Sequence, residues 1–184
     1  MVGQVDRSRF EDLYRETVRP LFAYVLTRTD RENASDVVSS TYLVAWRRFD
    51  EVPADALPWL IGVARRSLAD QRRSEARQRA VGQRLGEEPS TPWDLGNAVT
   101  ESLALRNSIR CALGRMRPED RDIVVLAAWH GFGTEQLAVT LGCSKSLASL
   151  RLHRARRRFA RYLKAQDHPV RLGQQAIHPA KEAP

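Results

Sequence analysis

The sequence predicts an all-α chain, with two small helical domains joined by a flexible linker, on three observations. Apolar residues recur at three-to-four spacing through almost every periodic stretch. Glycine and proline gather between two such stretches, at Gly82, Gly86, Pro89, Pro92 and Gly96. The length of 184 residues, at 42% hydrophobic, suits one ordinary domain or two small ones.

The elements follow in order. Phe10, Leu13, Tyr14, Val18, Leu21, Phe22 and Val25 make the apolar stripe of a first helix. Thr29-Asp30 can break it and cap a second helix reaching to about Phe49, with Ala34, Val37, Val38, Thr41, Tyr42, Ala45 and Trp46 on or near its apolar face. Asp55 is a plausible N-cap for a third, roughly 56–79, which buries Leu57, Leu60, Ile61, Ala64 and Leu68 before becoming a basic rod. Polar and acidic residues fill 81–101, a linker composition in which Trp93 wants somewhere to dock. A second unit begins near Ser102, with Leu105, Ile109, Leu113 and Met116 on one stripe. Pro118, Glu119 and Asp120 open another helix, favoured by proline at the first turn and acids at the positive dipole end. It carries Ile123, Val124 and Ala127 and stops at His130-Gly131. Thr134 is expected to cap a short helix 135–141, Gly142 to turn the chain, and Ser144 to cap a long basic helix. The tail 165–184 lacks any period and is expected to be mobile.

Charge is unevenly placed. The net is +8, which invites a polyanionic partner, and it resides in two segments. Residues 65–79 carry six bases and two acids; residues 143–164 carry eight bases and no acid; residues 85–101, between them, carry four acids and no base. A solvated helix face usually mixes signs to gain i,i+4 pairs, so eight unrelieved bases point to a polyanion nearby.

Several function classes are excluded. No apolar run approaches the ~18 residues of a membrane span, and the N-terminus lacks the apolar core of a signal peptide. Cys111 and Cys143 stand apart, too few for a zinc site, and fit a reducing cytoplasm. No His/Asp/Glu cluster with metal spacing, phosphate loop or nucleophile–base motif appears, so neither cofactor, metal site nor catalytic residue is expected and the chain reads as a non-enzyme.

A short helix, a glycine turn and a longer basic helix match the helix-turn-helix plan. With Ala148, Leu152, Ala155 and Phe159 buried, the opposite face presents Ser146, Leu150, His153 and Arg157, flanked by Ser149 and Arg154. Leu150 suits a thymine methyl in a major groove; Ser149, His153 and Arg154 can bond base edges or phosphates. Lys145, Arg151, Arg156, Arg158 and Arg161 read as phosphate contacts, which set affinity and register.

On these residues the chain resembles a bacterial RNA polymerase sigma factor of the extracytoplasmic-function (ECF) group of the sigma-70 family, over about 10–164. RPLFAYVLTRT with ASDVVSSTYLVAWRRF looks like the family's core-binding helices, LPWLIGVARRSLADQRR like its −10 segment, and RMRPEDRDIVVLAAWHGFGTEQLAVTLGCSKSLASLRLHRARRRF like its −35-binding domain. The resemblance implies sigma region 2 over 5–80, an acidic linker over 81–101 threading the polymerase channel, sigma region 4 over 102–164, and the tail 165–184. It implies core RNA polymerase, through its beta-prime and beta subunits, and promoter DNA, duplex and single-stranded, as partners, with an anti-sigma factor as a possible further one.

It also implies site roles. Asp36, Arg47 and Arg48 fall where relatives meet polymerase. The loop 52–57 and helix 58–73 would capture an unstacked −10 base and follow the separated strand, with Arg65, Arg66, Arg72 and Arg73 on its backbone. Trp59 fits either an aromatic platform there or, by its spacing with Leu60 and Val63, the core. Lys145, Ser146, Ser149, Leu150, Arg151, His153, Arg154 and Arg157 would face the −35 duplex.

Three departures stand out. Ser39 and Ser40 replace the polar-acidic pair common before the Thr-aromatic of the core-binding helix, so phosphorylation at Ser39, Ser40 or Thr41 would restore negative charge there. Ser149 stands where a basic residue is usual in the recognition helix, followed by Leu150. The 52–57 loop is short, and Arg66 replaces a frequent Asn. The rival reading is an autonomous helix-turn-helix regulator that binds duplex DNA without polymerase, against which stand the missing dimerisation heptad and the second basic segment.

Overall fold

The computed structural model describes residues 7–81 and 103–167; the expected linker from 82 onward, with Trp93, and the tail beyond 167 lie outside the described residues. Seven α-helices and one 3₁₀ turn make up the described chain, with no strand among them. They are α1 (Arg7–Leu26), α2 (Arg31–Arg47), α3 (Ala56–Val81), α4 (Leu103–Gly114), α5 (Pro118–Trp129), α6 (Thr134–Leu141) and α7 (Lys145–Asp167), with the 3₁₀ turn at Phe49–Glu51 between α2 and α3.

Local chemistry sets most boundaries. Asp30 caps α2 from an extended conformation, its side chain accepting from the Asn33 backbone N–H at 2.9 Å. Pro118 occupies the first turn of α5 with Glu119 and Asp120 beside it. Gly131 and Gly142 take left-handed φ of 66° and 61°, the latter closing α6 with its N–H on the Ala138 and Val139 carbonyls. Ser144 Oγ accepts from the Leu147 N–H at 3.3 Å at the start of α7. Some boundaries depart from expectation: α6 already includes Thr134, and its N-cap is Gly133. Gln136 replaces the expected hydroxyl, its side-chain oxygen accepting the Gly133 N–H at 2.9 Å. Likewise α7 runs on to Asp167, past the expected end at 164.

Asn33's backbone and side-chain donors hold the Asp30 carboxyl below the usual carboxylate range. A depressed carboxyl contributes stability above its unfolded pKa, about 3.9, and loses it as pH falls through the folded value. Asp30→Ala should therefore melt below wild type at neutral pH, and the two melting curves should converge in acid; a constant gap at every pH would count against the cap.

The helices form two lobes that share a core. In the first, α1, α2 and α3 each pack on the other two; in the second, α7 packs on α4, α5 and α6. Leu21, Tyr24, Val25, Val37, Leu60, Ile61 and Ala64 of the first lobe belong to one buried cluster with Ile123, Leu126, Phe132, Leu137, Ala148 and Leu152 of the second. A smaller cluster of Leu113, Met116, Val124, Val125 and Ala155 fastens α4, α5 and α7 together. The lobes meet chiefly through α3 on α6. Sequence periodicity assigns most of the apolar stripes, with Tyr14, Trp46 and Leu105 exposed instead, but not this joint, because an apolar face does not declare which partner covers it.

Candidate nucleic-acid interface

The turn between α6 and α7 orients the basic helix. Leu137 of α6 and Ala148 and Leu152 of α7 are buried in one cluster, so the two helices share apolar packing. Phe159 packs against the smaller cluster. The opposite face of α7 is exposed as expected: Lys145, Ser146, Ser149, Leu150, Arg151, His153, Arg154 and Arg157 all face solvent. Leu150 is 44% exposed and Leu147 38%, so Leu150 does not pack on a neighbouring helix. An apolar side chain amid arginines and serines on an open helix face is costly in water and suited to a groove.

Two bases of this helix are engaged. Lys145 forms an ion pair with Glu135 of α6, whose carboxyl is held below its usual range by that ammonium. Both groups are exposed, so the pair is weak and a phosphate can displace it. Arg158, expected at a phosphate, instead pairs with Asp120 of α5, a carboxylate whose side chain is 14% exposed. Arg158 therefore braces α7 against α5; the partner sits 38 residues away, where helical periodicity gives no warning.

The start of α3 is a different case. Trp59 is partly buried and packs against the main cluster, as its spacing with Leu60 and Val63 implies. Arg65 donates through Nε to Asp122 of α5 at 3.1 Å, with both side chains 20% exposed. Arg72 reaches the Arg28 carbonyl at 3.4 Å, and Arg73 pairs with Asp70 at 2.6 Å. Arg66 is exposed.

Around Asp122 lies a charge centre that the sequence does not announce. Arg28, only 7% exposed, donates Nε and Nη2 to one Asp122 oxygen at 3.1 and 2.6 Å, while Arg65 takes the other oxygen. The Arg28 guanidinium lies 3.5 Å over the Tyr24 ring and donates to the Tyr24 carbonyl. Burial and the Asp122 charge push the Tyr24 phenol far above its ordinary range. His130, edge-on to Tyr24, is held below its usual pKa by burial and by Arg28. Arg28 sits in TRTD, which reads as a turn; its partner lies 94 residues away.

On α2, Asp36, Ser39, Ser40, Arg47 and Arg48 are all exposed, with Arg48 paired to Glu51 in the 3₁₀ turn. Leu43 and Trp46 are 58% and 41% exposed on the same helix, an apolar element beside the charges that the sequence reading assigned to the helix's buried side in the case of Trp46. Trp46 meets Phe10 edge-on at 4.9 Å. Thr41, grouped with the serines as a modification site, is fully buried and donates its hydroxyl to the Val37 carbonyl. It is therefore inaccessible to a kinase; the one-residue step from Ser40 turns the side chain by about 100°. Among the described residues no cluster of three or more His, Cys, Asp or Glu could hold a metal ion, and no helix is long and apolar enough to cross a membrane.

Known proteins resemble this chain on both sides of the joint. Residues 13–78 match the Sigma-70 region 2 family and residues 106–159 the Sigma-70 region 4 family. The chain is 35% identical over 150 residues to the ECF RNA polymerase sigma factor SigL of Mycobacterium tuberculosis, covering 78% of this chain and 82% of that one. It is 28% identical over 152 residues to the RNA polymerase sigma factor CarQ of Myxococcus xanthus, covering 80% and 85%. Among solved structures it resembles the sigma factor RpoE of Bartonella quintana, captured with the anti-sigma factor NepR, at TM-score 0.62 and 25% identity over 85% of this chain and 97% of that one. CnrH, solved with the cytosolic domain of CnrY, shares the fold at TM-score 0.56 and 20% identity, covering 89% and 93%.

Proposed function

The chain belongs to the ECF sigma factors, DNA-binding initiation factors that bind core RNA polymerase and direct it to promoters, and on that premise we propose how its surfaces divide the work. The exposed face of α7, from Lys145 to Arg157, reads the −35 duplex: Ser149, Leu150 and His153 meet base edges while Arg151, Arg154 and Arg157 hold phosphates. The 52–57 loop and the start of α3 take the −10 strand, with Arg65, Arg66, Arg72 and Arg73 on its backbone. The exposed side of α2, Asp36, Ser39, Ser40, Arg47 and Arg48 with Leu43 and Trp46, docks on the polymerase beta-prime subunit, and the −35 domain sits near beta. Boundaries at 80 and 102 separate region 2 from region 4, and the acids of 81–101 follow the polymerase's basic channel. The factor has no catalysis of its own and acts in the cytoplasm, where the polymerase is. RpoE of Bartonella quintana is held by an anti-sigma factor, and an inhibitor of that kind is the partner proposed for this chain when it is idle.

The observation that carries the −35 assignment is Leu150, exposed on a helix face bearing bases and no acid. An autonomous regulator would carry such a helix too, but it has no need of region 2 in the same chain. The test is electrostatic. On a promoter fragment mapped by run-off transcription, holoenzyme binding should weaken steeply with salt, and Arg154→Ala should reduce the slope of log K against log salt by about 0.9, one duplex phosphate contact. An unchanged slope would remove Arg154 from the interface.

A further inference from the structure

Among the described residues α7 exposes two large apolar side chains, Leu147 at 38% and Leu150 at 44%. They are the third and sixth residues of the helix. Leu150 stands opposite the buried stripe of Ala148, Leu152 and Ala155. At about 100° per residue, Leu147 lies about 60° from it around the axis, on the side of Arg154 and Arg151. Ser146, His153 and Ser149 lie on the other side, all of them exposed. The leucines thus form one apolar strip near the start of the helix, between a hydroxyl-and-imidazole edge and an arginine edge.

We propose that Leu147 and Leu150 together read two neighbouring thymines of the −35 element through their 5-methyl groups. The proposal rests on the assignment of the α7 face to the −35 duplex. Residues near the N-terminus of a recognition helix are the ones that meet base edges. The thymine methyl is the apolar group that the major groove of unmodified DNA presents to them. Serine hydroxyls bond donors and acceptors alike, so Ser146 and Ser149 discriminate poorly between bases, whereas a leucine distinguishes thymine from every base that lacks the methyl. Side chains three apart on a helix have Cβ atoms about 5–6 Å from each other, within reach of successive base pairs at about 3.4 Å.

The surroundings favour DNA over an apolar protein surface as the occupant. Arg151, Arg154 and Arg157 are exposed around the strip, and residues 143–164 contain no acid. A duplex neutralises those guanidinium groups with phosphates while its groove takes the leucines. An apolar protein patch would cover the leucines and leave the arginines beside it uncompensated.

The experiment follows binding of the holoenzyme, by fluorescence anisotropy, to a promoter fragment mapped by run-off transcription. Each thymine of the −35 element, on either strand, is replaced singly by deoxyuridine, which removes the methyl and keeps every hydrogen-bonding group. Two neighbouring replacements should weaken binding about fourfold each, the effect of burying one methylene-sized group. Leu150→Ala should bind one of these two fragments as tightly as its all-thymine parent, and Leu147→Ala the other, a cycle that isolates each contact. Since no charge changes, both variants should keep the wild-type salt slope. Deoxyuridine without effect at every thymine overturns the proposal, as do losses that persist undiminished in both alanine variants, or a −35 element without neighbouring thymines. Weaker binding of the leucine variants to core polymerase without DNA, with deoxyuridine neutral, gives the strip to a protein and equally overturns it. The −35 assignment is judged separately by the salt slope of Arg154→Ala: a reduced slope with deoxyuridine neutral keeps the duplex on α7 and rejects only the methyl contacts.

Discussion

Replacing Arg151, Arg154 and Arg157 together by alanine is expected to lower the salt slope of holoenzyme–promoter binding by about 2.7, three duplex phosphate contacts at ~0.9 each. At near-physiological salt the same counterion argument gives an affinity loss on the order of 10²-fold. The three side chains are exposed on one face of α7, and that segment holds no carboxylate to compensate them. The fold should be indifferent to the change, because surface substitutions away from caps and buried networks usually fall within about 0.5 kcal/mol. Relief of like-charge repulsion along α7 would even raise the melting temperature slightly. Arg158→Ala should behave in the opposite way. It releases the brace on Asp120, so stability falls while the salt slope stays near wild type. Indistinguishable effects of the triple variant and Arg158→Ala on the slope would refute the division of α7 into a reading face and a bracing residue.

Leu137→Ala is the substitution expected to cost the most in stability. Leu137 is completely buried on α6 and belongs to the cluster that both lobes share. Truncating a buried leucine removes its transfer free energy and leaves a cavity, about 2–5 kcal/mol in total, against a typical whole-domain stability of about 5–15 kcal/mol. Tm should drop by roughly 10 °C, and promoter binding should be lost with it because α6 positions α7. Leu150→Ala, by contrast, should leave Tm within about 2 °C, since Leu150 is exposed, yet weaken the −35 contact. A Tm for Leu137→Ala as close to wild type as that of Leu150→Ala would mean that α6 does not share the core.

The legible part of this protein is the part that local spacing controls. The α7 stripe of Ala148, Leu152 and Ala155, the turn at Gly142, the Ser144 cap and the proline-led start of α5 are all consequences of neighbours within four residues, and they stand in the structure as the sequence implies. The exposed face of α7 follows from the same helical period. What local spacing does not carry is choice of partner. Arg28 in a turn, Asp122 in a helix and Arg65 in a basic rod look like ordinary surface charges, and only the tertiary fold brings them within 3.1 Å. Arg158 differs from Arg157 by one position and so by about 100° around the axis, enough to exchange solvent for Asp120. Thr41 is separated from exposed Ser40 in the same way. Trp59 is partly buried and packs on the main cluster beside the fully buried Leu60 and Ile61, as its spacing implies. Gly62 is the subtlest case: a small residue in a helix is unremarkable until another backbone lies 3.0 Å from the Cβ it lacks.

The net charge of +8 is also unevenly engaged. Arg151, Arg154 and Arg157 of α7 face solvent, whereas Arg65 and Arg73 of α3 are paired with the chain's own Asp122 and Asp70.

The most direct measurement of the central claim is run-off transcription from fragmented genomic DNA with purified core RNA polymerase, with and without the chain. The account predicts transcripts that begin at a discrete set of sites only when the chain is present, that survive Ser40→Ala, and that disappear with the Arg151, Arg154 and Arg157 triple variant. No chain-dependent starts, together with tight binding of the chain alone to a palindromic duplex, would contradict it.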